Sequence, residues 1–144
     1  MPVKFEILED GWVARYTFEK PWTTAECTAH YPEDNAHRSR VNHTVYLLLD
    51  LHLSAQLPPP DIFRAQTNAP VLLYPDSSEM IVSAASPLES RIAETIFKIV
   101  RLKNIKFFDT NEAAWEYIRR QIAEEKQAMS NPEIDNFRMN DNQG

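Results

Sequence analysis

Only two glycines, Gly11 and the terminal Gly144, occur in this chain of 144 residues. Glycine is the residue that reaches positive φ without strain and lets a ligand approach the main chain closely. A phosphate-cradling P-loop, a dinucleotide fingerprint and a nucleophile elbow all depend on it. The sequence therefore disfavours nucleotide-dependent enzymes and elbow-type hydrolases together.

The length fits one domain with a substantial core, and 43% hydrophobic with 25% charged residues is ordinary for a globular chain. A net charge of −6 opposes a nucleic-acid partner, because phosphate binding needs a cationic footprint. Cys27 is the one cysteine, so neither an intrachain disulfide nor a thiolate metal cluster can form. That usage, with an N-terminus MPVKFEILED lacking a basic and an apolar signal region, predicts a cytoplasmic protein without a membrane span.

Val3, Phe5 and Ile7, then Trp12, Ala14, Tyr16 and Phe18, alternate with polar neighbours around Asp10-Gly11, which predicts a β-hairpin over residues 3 to 18. Thr23 and Glu26 have capping-box spacing, so a helix starts there and is expected to kink or break near Pro32 on its way to Val41. The apolar run Thr44 to Asp50 reads as a central strand covered on both faces, followed by a loop from Leu51 to Pro60. Pro60-Asp61 suits a helix start carried on by Ile62, Ala65, Gln66, Ala69 and Leu73; residues 71 to 74 fit either its end or a short strand. A strand over 79 to 84 leads to Ser86-Pro87-Leu88-Glu89, which combines an N-cap serine, proline at the first position and glutamate at the third. Leu88, Ile92, Ile96, Ile99 and Val100 form the predicted buried stripe of that helix. A strand over 105 to 108 and a last helix with Ala114, Trp115, Ile118 and Ile122 inward complete a domain of residues 1–127, with 128–144 a polar, flexible tail.

Such alternation implies an α/β fold: a mostly parallel sheet with a hairpin edge and helices on both faces. The run VYLLLD entering a loop, the segment SPLESRIAETIFKIV and the closing FFDTNEAAWEYIRR give the chain a pattern similar to the STAS-like, anti-sigma-factor-antagonist superfamily, in particular its small stand-alone bacterial members. The resemblance implies a non-catalytic interaction or regulatory module. In the signalling members a strand-ending aspartate leads directly to a phosphorylated serine or threonine. Asp50 matches the aspartate, but Leu51, His52 and Leu53 intervene before Ser54, so the phosphorylation motif is not matched.

The residues singled out for partner binding are Asp50, Leu51, His52, Leu53, Ser54 and Leu57 of the central loop, with Asp61 and Ser86 at the two helix starts. They are expected at the carboxyl edge of the sheet, where open α/β folds bind ligands. A protein partner or a second copy of the chain is the first expectation, and a small apolar, lipid-like ligand is the alternative, with Leu51, Leu53, Leu57 and three prolines as lining. A hydrolase built on Asp50, His52 and Ser54 ranks third, because alternate residues of one extended segment do not give triad geometry. His30, Asp34 and His37 share helical spacing, but Pro32 interrupts them and no fourth ligand is evident; the sequence calls for no metal and no cofactor. Cys27 reads as a small buried hydrophobe, and the basic residues Arg91, Lys98, Arg101, Lys103 and Lys106 as a solvated face.

Overall fold

A computed structural model describes residues 2–54, 56, 59–62, 68–99 and 104–130. By its internal contacts the chain divides into two units, Met1–Ala114 and Trp115–Gly144, and the first holds the whole sheet. Five strands run in the order β1 (Val3–Leu8), β2 (Val13–Glu19), β3 (Val45–Leu53), β4 (Ser78–Ser83) and β5 (Ile105–Phe108). β1 and β2 are antiparallel; every later pairing is parallel, with Val13 opposite Tyr46, Leu47 opposite Met80 and Met80 opposite Ile105.

The hairpin forms where alternation predicts it, but its strands are joined by four residues, Glu9 to Trp12. Glu9, Asp10 and Gly11 all have positive φ, of 52, 56 and 96°. Gly11 is required there, since a Cβ would lie 3.1 Å from the His37 ring. Across the hairpin Arg15 donates to Glu6 Oε1 at 2.6 Å.

Three connections join the parallel strands: α1 (Thr24–Thr28) and α2 (Tyr31–Arg40), then α3 (Pro70–Leu73), then α4 (Pro87–Ile99). Each step moves to the next neighbour in the same direction, so right-handed crossovers bring α1 to α4 to one face. Cys27, Tyr31 and Val71 accordingly share a buried cluster with Ala14, Tyr16, Phe18, Val45, Leu47, Met80 and Val82. The alternate side chains Val13, Tyr46, Leu48 and Ile81 are buried as well, so the central strand is covered on both faces, as its unbroken apolar run predicts.

Several boundaries differ from the sequence reading. The predicted helix does break, but at Ala29–His30, two residues ahead of Pro32, which sits at the second position of α2 where a missing N–H breaks no helical bond. The capping box of Thr23 and Glu26 is formed in both directions. β3 continues through Leu53 instead of ending at Asp50, because β2 extends past a bulge to pair Glu19 with Leu53 and Lys20 N–H donates to Leu53 O. Residues 71 to 73 are helical, within a one-turn helix opened by Pro70; of the longer helix predicted from Pro60, Ala65 and Gln66 lie outside the described residues. In α4 the stripe is misplaced at its start: Leu88 is 55% exposed and Glu89 is buried. The inward position of the first turn falls one residue later than the predicted stripe. The side chains of Ile96 and Ile99, and Val100 altogether, lie outside what is described.

The last helix, α5 (Asn111–Ser130), runs three residues past the predicted end; Ala114, Ile118 and Ile122 are buried, and the Arg119 guanidinium stands 5.1 Å over the Trp115 ring. Among the described residues no helix is long and apolar enough to cross a membrane.

Candidate functional site

β3 serves two different places with its two rows of side chains. Leu47, Leu49 and Leu51 face the crossover side, whereas Asp50 and His52 fall on the other, as the two-residue period of a strand requires.

On the crossover side the sheet and its connections line a partly open cavity of about 120 Å³. Its floor is Tyr16, Phe18, Leu47, Leu49, Leu51, Met80 and Val82 from the strands. Trp22, Cys27 and Tyr31 close it from the first crossover, Ala69 to Val71 from the second, and Glu89 with Ala93 from the third.

The polar groups at this cavity are almost all committed. Gln56 clasps the Trp22 backbone, accepting from its N–H at 2.9 Å and donating to its carbonyl at 2.8 Å. The Trp22 indole N–H donates to Ser54 Oγ at 3.1 Å. Cys27 Sγ lies 3.9 Å from the Tyr31 hydroxyl, and burial pushes its thiol up to about 11. Behind the wall, Tyr16 donates to Asp34 Oδ2 at 2.9 Å; burial first, and then the Asp34 carboxylate, hold the Tyr16 phenol far above its usual range. Asp34 in turn receives Arg38 Nε at 2.9 Å, and Arg38 also donates to Ser78, which leaves Arg38 Nη2 buried without a partner among the described residues.

On the opposite side of β3, His52 Nδ1–H donates to Asp50 Oδ1 at 2.5 Å, and the same oxygen accepts the His52 backbone N–H at 3.1 Å. Asn111 Nδ2 reaches Asp50 Oδ2 at 3.3 Å, and its carbonyl oxygen accepts from Ser83. Asp50 is therefore buried and satisfied, holding His52 in one orientation with the ring 44% exposed. This is an oriented acid–base pair without the third member of a triad, because Ser54 is fully buried and bonded to Trp22 and Gln56. The same burial places the Ser54 hydroxyl out of reach of a kinase in this conformation.

The eight residues expected to form one binding edge thus go to several places. Leu51 lines the cavity, Asp50 and His52 pair behind it, and Leu53 is 47% exposed. Asp61 accepts from the Thr24 hydroxyl at 2.6 Å, Ser86 caps α4, and Leu57 lies outside the described residues. His30 and His37 donate instead to the carbonyls of Val3 and Gly11, at 2.9 and 2.8 Å, and Asp34 belongs to Arg38. Among the described residues no three histidine, cysteine or acidic side chains gather as metal ligands would. Arg91, Lys98 and Lys106 are exposed; Arg101 and Lys103 lie outside the described residues.

Sequence reasoning missed Trp22, Gln56, Glu89 and Asn111. Glu89 was visible only as a cap, although Glu89 and Ala93 have the four-residue spacing of one helical face. Trp22 and Gln56 meet across a separation of 34 positions and Asn111 and Asp50 across 61, and no local pattern marks such pairings. Set against protein-family models, curated proteins and solved structures, the chain matches none of them.

Proposed function

We propose that this protein binds a small, largely apolar molecule between the sheet and its crossovers, and that it does so without chemistry. The observation that carries the reading is the cavity itself: about 120 Å³ bounded mostly by aliphatic and aromatic side chains. Close-packed interiors rarely keep such a void. An apolar cavity of roughly 150 Å³ takes up benzene in another protein, so this one suits a group of about that size. Among the described residues no nucleophile is bonded to the ordered pair Asp50–His52, which favours binding over turnover. The buried Cys27 is compatible with a reducing, cytoplasmic setting.

Benzene titration followed by calorimetry and thermal melting tests this directly. Saturable binding that raises the melting temperature is expected in the native chain, and an at least tenfold loss in Ala93→Leu, which fills the cavity from α4. No binding to the native chain, or binding untouched by Ala93→Leu, overturns the proposal.

The second reading is the interaction module of the STAS-like resemblance. It is favoured by Leu53 and Leu88, which are 47% and 55% exposed where β3 ends and α4 begins. Sedimentation of the native chain against Leu53→Ser with Leu88→Ser tests it; a self-associating native chain that becomes monomeric in the double variant supports this reading over the first.

A further inference from the structure

Among the described residues Glu89 is the one acidic or basic side chain that lines the cavity. It is 6% exposed. Its position is dictated locally: at the third residue of α4, its Oε1 accepts the Ser86 N–H at 2.9 Å while Ser86 Oγ accepts the Glu89 N–H at 3.1 Å. That capping box occupies one carboxylate oxygen. The other, Oε2, has no hydrogen-bond partner, and no Lys, Arg or His forms an ion pair with Glu89, among the described residues.

The amides of the first turn of α4 favour a negative charge here, which helps the carboxylate tolerate burial. They do not supply a donor to Oε2. A buried charge with an open acceptor gains most from a charged donor, because charge-assisted hydrogen bonds are about twice as strong as neutral ones. The other polar groups at the cavity cannot compete, since Gln56 and the Trp22 indole are already bonded.

We infer that the ligand is a small primary amine, its ammonium held by Glu89 and an apolar body of about six carbons filling the space over Leu47, Leu49 and Met80. The inference rests on the cavity being a binding site, and adds which chemical class it selects. Carboxylate-headed molecules such as short fatty acids are excluded by the same charge.

The probes are hexylamine, hexanol, hexanoate and benzene, titrated calorimetrically into the native chain and into Glu89→Gln. Glutamine also serves at the third position of a capping box, so this variant keeps the cap and loses the charge. In the native chain hexylamine is expected to bind at least tenfold more tightly than hexanol, and hexanoate not at all. In Glu89→Gln the amine advantage over hexanol is expected to disappear. Equal binding of amine and alcohol by the native chain, measurable hexanoate binding, or an unchanged amine preference in Glu89→Gln overturns the inference while leaving the cavity reading intact. Failure of benzene to bind the native chain removes the cavity reading instead. The native-chain comparison stands even if the variant fails to fold.

Discussion

The two faces of β3 use the same strand to opposite ends. On the crossover side Leu47, Leu49 and Leu51 leave space unfilled and one carboxylate oxygen, on Glu89, unbonded among the described residues. On the other side Asp50, His52, Asn111 and Ser83 are joined by hydrogen bonds. Polar richness is therefore a poor guide to the site here. Groups that satisfy each other have little to offer a ligand, whereas a void with one uncommitted charge has both room and an energetic reason to be filled.

The comparison breaks most severely if the ion pair behind the cavity wall is removed. Asp34→Ala leaves Arg38 charged and buried with Nη2 already unpartnered, and should cost about 3–5 kcal/mol in urea denaturation. That is a large part of the roughly 5–15 kcal/mol that holds a typical domain together. A loss below about 1 kcal/mol would show that the cavity wall does not depend on this pair.

Alkaline titration should come next. Burial raises the Cys27 thiol from 9.0 to about 11, so the unfolded chain releases this proton first as pH rises. The stabilisation is complete below about pH 9 and is lost as pH climbs toward 11, with a ceiling of about 2–3 kcal/mol. Tyr16, raised further, extends the decline above its ordinary value of 10.0. Melting temperature followed from pH 8 to 11 in native chain and Cys27→Ala checks this: the variant should lose part of the slope between pH 9 and 11.

Cys27 also sharpens the contrast as a reporter of occupancy. Because it lines the cavity, its reaction with a small thiol reagent should slow severalfold at saturating hexylamine, and an unchanged rate would place the amine elsewhere. The smallest effect is expected on the polar side. His52→Ala removes a ring that is 44% exposed, so it should shift stability by less than about 1 kcal/mol and leave probe binding unaltered. Loss of probe binding in that variant would mean that the two faces are not separate sites.

What local pattern determined is clear at particular residues. Alternation set the hairpin and the faces of β3, and short-range donors and acceptors set the Thr23–Glu26 and Ser86–Glu89 caps, because those interactions close within a few residues. The continuous run from Val45 to Leu49 announced a strand covered on both sides. The end of β3 was not legible, since Leu51 to Leu53 become strand only through their pairing with a bulged β2. Nor was the inward turn of Glu89, because which side of a helix start is buried depends on the distant segments that pack against it. The tertiary structure alone decided that three crossovers meet on one face without filling it. Void volume is a property of how side chains from distant segments fit together, and no spacing along the chain encodes it.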